Sequence, residues 1–345
     1  MKKKLLTCTM AGALVFSGIA AGSMSVSAAG EGPNYNGHET INTSILHNHE
    51  ELVSFLETQD AKQEQMELEV IGQSVQGRDI HLVKYVSDPD NPTILYLTQQ
   101  HGNESLTTEG TLEFIKHLGT DKTKDVLDGV NILIVPRLNV DGAVGDVNFS
   151  LDDYVGDGEY NLTRYNANGV DLNRDHVDKE EPETQALHDN VMQKYDIDYM
   201  IDLHHQGAQS ERDGELVSGS ILYPTTKNAD PALVEKSKQL GAVVFDEIDR
   251  TGWGHLGKYA GGSAETISRN GIAVEYGIST LLFEMRGMMD HENESYVLGQ
   301  KSNGYLIKQT VNTLTATAEA ISDGSIEEMD TSFWDTLPEQ ESRSE

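Results

Sequence analysis

Cysteine is almost missing from this 345-residue chain, whose one thiol, Cys8, falls within the first 28 residues. A disulfide framework is therefore excluded, and robustness outside a cell would have to come from packing, metal or ions. Long apolar runs are scarce too. The longest ends at Ile19, short of the ~20 residues that a membrane span needs. Cations are few: 25 Lys and Arg face 57 Asp and Glu, a formal charge of −32. Nucleic acid and anionic membrane are excluded as partners on that balance, which describes a solvated acidic coat. Internal repeats and domain linkers are absent as well.

What is present begins with a secretory pattern. Lys2, Lys3 and Lys4 precede the apolar run, and "SVSAA" supplies the small residues of a cleavage site near Ala28. Residues 1–28 are thus expected to be a signal peptide, the mature chain secreted and without a membrane anchor, and its charge −35 once those three lysines leave. Residues 29–45, rich in Gly, Asn and Thr, read as an arm. Residues 46–322 read as one catalytic domain, and the acidic, aperiodic residues 323–345 as a tail without structure.

Within the domain, "LEVIG", "IHLVKYV", "TILYLTQ" and "VNILIVP" are short β-branched runs bounded by turn formers, so they predict strands. Helical spacing recurs in "HNHEELVSFLETQ", "TTEGTLEFIKHLG", "ETQALHDNVMQKY", "PALVEKSKQLGAVVFDEID" and "GQKSNGYLIKQTVNTLTATAEAI". The alternation predicts an α/β fold, a single domain with a mixed twisted β-sheet and helices on both faces. A polar excursion from Asn139 to about Lys179 interrupts it, and structureless segments of that length are usually functional.

His-x-x-Glu occurs three times, at His47 and Glu50, His101 and Glu104, and His291 and Glu294. Spacing alone does not separate them; position does. His101 lies just beyond the carboxyl end of a predicted strand, where open α/β sheets hold ligands, whereas His47 and His49 are expected to be exposed near a helix start. A second strand, "YMIDL", ends at Leu203 and delivers His204 and His205 toward the same rim. Two histidines and one carboxylate would hold one zinc ion per chain with a position left for water. Glu284 follows the apolar run "TLLF" and brings a further carboxylate.

The segments "HGNE", "NVDG", "GVDLNRD", "EPETQAL", "IDLHHQG", "GGS" and "LLFEMRG" occur in the order found in the carboxypeptidase A-like zinc metallocarboxypeptidases, which this chain resembles from about Ile71 to Arg286. The resemblance implies that His101, Glu104 and His204 bind zinc and that Glu284 is the general base. It also implies that Asn173 and Arg174 hold the terminal carboxylate of a peptide substrate. An arginine should meet the oxyanion; Arg164 is the choice and Arg137 the reserve. Tyr259, two residues before Gly261, corresponds to the tyrosine that closes over substrate, although its spacing departs from the family pattern. Small Ala264 after "GGS" would shape specificity, and Glu265, if turned inward, would favour a basic terminal side chain. His176 and His205 read as solvated.

The expectation is a secreted zinc carboxypeptidase that acts on peptides with a free C-terminal carboxylate. The alternatives are a hydrolase of the same scaffold acting on cell-wall peptide stems or N-acyl amino acids, and an inactive binding protein, which would require a missing catalytic group.

Overall fold

The computed structural model describes residues 46–146, 164–207, 210–252, 254–287 and 303–342. The expected signal and arm, and the middle of the polar excursion, lie outside them. Helix α1 (His49–Asp60) leads into strands β1 (Glu67–Gln73), β2 (Asp79–Tyr85) and β3 (Thr93–Thr98). Helices α2 (Ser105–Leu118) and α3 (Lys124–Gly129), strand β4 (Asn131–Val135) and helices α4 (Val140–Asp146) and α5 (Pro182–Leu187) follow. Beyond them come β5 (Tyr199–Gln206), β6 (Ser210–Arg212), β7 (Glu215–Leu216), β8 (Gly219–Leu222), α6 (Pro231–Thr251) and β9 (Leu256–Lys258). The last elements are α7 (Ser268–Tyr276), β10 (Ser279–Arg286), α8 (Asn303–Ser322) and β11 (Glu341–Ser342).

Eight strands form one sheet in the order β1-β2-β4-β3-β5-β10-β8-β9. Its four central strands, β4, β3, β5 and β10, are parallel, and antiparallel pairings flank them, so the sheet is mixed as expected. Side-chain alternation builds two cores from one strand: Ile94 and Tyr96 of β3 pack on one face with Leu52, Phe114, Val244 and Leu314, while Leu95 and Leu97 pack on the other with Leu187, Val191 and Ile272. Burial on both faces explains why the central runs are continuously apolar.

The chain leaves β3 to make β4 on one side and later places β5 on the other. The carboxyl ends of β3 and β5 therefore flank a switch point, the usual position of a ligand crevice in an open α/β sheet. Gln99, at φ 52°, turns the backbone sharply just past β3. Its side chain accepts from Arg137 Nε and Thr108 Oγ1 and donates to the Gly102 carbonyl, which offsets the cost of a left-handed residue and aims His101 at the crevice.

The acidic tail corrects the expectation of disorder. Trp334 is 4% exposed and donates to the Lys238 carbonyl of α6, packing edge-on to Tyr223, and Phe333 stacks on Phe245. Strand β11 then pairs with β6. Two aromatic anchors hold a segment whose charge pattern alone reads as solvated.

Candidate metal centre

Strands β5 and β10 run parallel in the register His204 opposite Glu284, so the two side chains leave the sheet on the same face. Both apolar runs continue as strand beyond the expected ends, to Gln206 and Arg286, and the histidine and glutamate sit inside them. His101 and Glu104 reach the same point from the β3–α2 turn. His101 Nδ1 lies 2.7 Å from Glu104 Oε1, His204 Nδ1 lies 2.9 Å from Glu104 Oε2, and the two Nδ1 atoms are 3.1 Å apart.

The other ring nitrogens meet carboxylates as well. His101 Nε2 is 3.1 Å from Asp171 Oδ1, and His204 Nε2 is 3.0 Å from Asp202 Oδ1. A carboxylate only accepts, so with a cation at the centre each Nε2 would carry the hydrogen and each Nδ1 would turn its lone pair inward. Two imidazole lone pairs and a carboxylate converging at this distance repel one another unless a cation lies between them. Protonation answers the same demand for positive charge. Against the cost of burial, His101 and His204 hold the Glu104 carboxyl well below its ordinary range, while Asp202 and Glu104 raise His204 well above its own. The cluster seeks positive charge, and its nitrogen and oxygen donors match zinc. Among the described residues it is the one group of three or more metal-capable side chains that converge.

Glu284 is buried beside it, and its Oε2 has no hydrogen-bond partner. Burial, with Glu104 adding to it, pushes this carboxyl up to about 7 despite the nearby histidines. Arg164 comes to the same side: its Nε and Nη2 donate to Asp171 Oδ2, and its Nη1 is 3.8 Å from Glu104 Oε1. Arg137, by contrast, is buried under β3 with Gln99 and the His47 carbonyl, which removes the reserve candidate from the crevice.

Asn173 is buried, its Oδ1 accepting from Ser268 N and its Nδ2 lying 3.2 Å from His204 Nε2. Arg174 is exposed and donates to the Asn173 carbonyl. Tyr259 lies near Glu284, whose charge, followed by burial, raises the phenol above its ordinary range. Ala264 is exposed on the loop before α7, where its carbonyl accepts from Asn270. Glu265 does not turn inward freely, because Thr226 Oγ1 and Asn228 Nδ2 occupy its carboxylate.

His176 is not solvated, and His205 is only partly so. His176 is fully enclosed, 2.7 Å from Gln100 Oε1 and 3.0 Å from His188, and burial lowers it to about 3. His205 Nε2 is buried without a partner, and burial lowers that residue to about 4. Of the look-alike pairs, His47 is half-buried against Glu109 rather than paired with Glu50, and His291 and Glu294 lie outside the described residues.

Asp171 and Asp202 were absent from the expected site. A signal existed for both. Asp202 stands two residues before His204 in a strand, hence on the same face. Asp171 opens the "DLNR" turn and accepts from Asn173 N.

The model of the zinc carboxypeptidase family matches residues 52–211. Carboxypeptidase D of Rattus norvegicus is 31% identical over 147 residues, 39% of this chain and 10% of that protein. A zinc carboxypeptidase of Saccharothrix mutabilis subsp. capreolus is 32% identical over 111 residues, 29% of this chain and 26% of that one. The matched segments thus span about a tenth to a quarter of those relatives. Among solved structures, carboxypeptidase A of Helicoverpa armigera superposes with a TM-score of 0.63 at 17% identity, covering 84% of this chain and 76% of its own. A metallo-carboxypeptidase of Burkholderia cenocepacia gives 0.59 at 19%, covering 80% and 70%. These two likenesses concern the fold.

Proposed function

This chain belongs to the zinc carboxypeptidase family, and from that premise we propose that it hydrolyses the C-terminal bond of peptides with Glu284 as general base. The observation that carries the reading is the convergence of three lone-pair donors beside a buried carboxylate with an unpartnered oxygen. His101, Glu104 and His204 would hold the zinc, with Asp171 and Asp202 orienting the rings. When bound there, zinc acidifies water and polarises a carbonyl. Glu284 takes the proton of the attacking water and returns it to the leaving amine, a role suited to a carboxyl raised toward neutrality.

Arg164 offers a guanidinium to charge developing on the carbonyl oxygen, held in place by Asp171. Arg174, exposed and next to Asn173, receives the terminal carboxylate through paired hydrogen bonds. Tyr259 closes over the bound residue. The working unit in this reading runs from residue 46 through the packed tail.

Comparing a peptide with its C-terminal amide tests the reading. Cleavage of the free acid alone, abolished by a chelator and restored by zinc, is the expected result; equal rates for acid and amide would refute exopeptidase action. Export is proposed from the Lys-rich, apolar start of the chain, and N-terminal sequencing of protein from the culture fluid should begin at Ala29 or Gly30. Among the described residues, no helix is long and apolar enough to cross a membrane.

A further inference from the structure

The second residue of α7, Arg269, is 1% exposed, yet its guanidinium meets only neutral groups. Nη2 donates to the Gly262 carbonyl and lies 3.2 Å from Thr225 Oγ1, whereas Nε has no partner at all. Among the described residues no carboxylate lies within ion-pair distance of it. Buried charges are ordinarily paired, because leaving one alone costs several kcal/mol. Burial accordingly pushes the group down to about 10, opposed by the charges of Asp202, Glu284 and Tyr259, and it remains a cation at neutral pH.

Its position is specific. Ser268, the residue before it, donates its backbone N–H to Asn173 Oδ1 and its hydroxyl to Asp202, so the start of α7 is pinned to the metal centre. A Cβ on Gly261 would fall 3.0 Å from Arg269 Nη1, 3.1 Å from Tyr259 Cδ1 and 2.8 Å from Leu222 Cδ2. Glycine there lets the loop close on both the arginine and the tyrosine. A purely structural clamp does not need a cation, since Asn270 Nδ2 already holds the Gly262 and Ala264 carbonyls.

Resting on the carboxypeptidase reading, we infer that Arg269 is a specificity-determining residue: its guanidinium receives the side-chain carboxylate of a C-terminal Glu or Asp, so that acid-ended peptides are the substrate class. The carboxylate supplies the partner that the protein itself does not. Arg174 remains for the terminal carboxylate, and the two arginines together read a dicarboxylate end.

The test compares kcat/KM for one peptide ending in Glu, Gln, Leu or Lys, with wild-type protein and with Arg269→Gln and Arg269→Lys. The expected wild-type preference for Glu over Gln is at least about tenfold, the order of one charge-assisted hydrogen bond. Arg269→Gln should bring the Glu-to-Gln ratio close to one, and Arg269→Lys should restore part of it. Equal wild-type rates on Glu and Gln, or an equal loss on every peptide in Arg269→Gln, would overturn the assignment; the latter marks a loop clamp or a reader of the terminal carboxylate. Calorimetric binding of N-acetylglutamate against N-acetylglutamine by the zinc-loaded wild-type protein decides the matter if the variants do not fold or no peptide is cleaved. Tighter N-acetylglutamate supports Arg269 even when the hydrolytic reading fails, and equal affinities refute it.

Discussion

In the proposed reaction Glu284 and Asp171 do different work at the centre, and single substitutions separate them. Glu284→Gln keeps size and burial but removes the proton acceptor, so kcat should fall about 10²- to 10⁴-fold while zinc content stays whole. Activity in the wild type should decline as pH falls through the Glu284 pKa, because only the ionised form accepts a proton. That limb is expected between the ordinary 4.5 and about 7, since a divalent cation alongside favours the carboxylate. Asp171→Asn acts elsewhere. It weakens the acceptor that orients His101 and takes the partner from Arg164, so zinc affinity should drop roughly 10- to 100-fold in competition with a chelator.

The convergence of His101, Glu104 and His204 was legible in the sequence because strand ends and family motifs agree on these residues. Arg269 was not, since a cation beside apolar positions in a short helical stretch carries no sign of what it lacks. His176 misled for a related reason: its enclosure depends on Gln100 and His188, which are distant in the chain.

At the scale of elements, the central strands followed from their β-branched runs, and their parallel order explains why His101, His204 and Glu284 share one rim. The tail did not follow. Local composition describes how a segment behaves alone, whereas Trp334 and Phe333 act through contacts with α6. The fit is close: a Cβ on Gly241 would lie 2.3 Å from Trp334 Cζ2. Trp334→Ala should therefore cost about 3–5 kcal/mol in urea unfolding. A change of a few tenths would show that the tail merely rests on the surface. Strand β8 is similarly constrained, because a Cβ on Gly219 would meet the Glu284 carbonyl at 2.7 Å and disturb the backbone that carries the proposed base.

For the whole molecule, charge and buried histidine pull against each other as conditions change. His176 and His188 are lowered by burial to about 3 and about 4, so the unfolded chain binds more protons than the native one below their ordinary 6.5. Stability from this source is complete above that value and declines as pH falls toward the folded values. The urea midpoint should accordingly drop between about pH 7 and about pH 5 at constant ionic strength. At neutral pH the formal charge of −32 works through self-repulsion, and about 1 M salt, which shortens the screening length to about 3 Å, should raise the melting temperature.

Pairing of β3 with β5 joins positions about a hundred apart in the chain, Leu97 opposite Asp202 among them. His101 and His204 consequently stay strangers until that zipper is shut, and a nascent or denatured chain has no grip with which to seize its ion. Uptake of the metal then becomes a clock for the closing of the middle of the sheet. In stopped-flow refolding with a colorimetric zinc indicator, the dye should lose its zinc only after helical signal has returned, and simultaneous traces would mean that capture precedes the zipper.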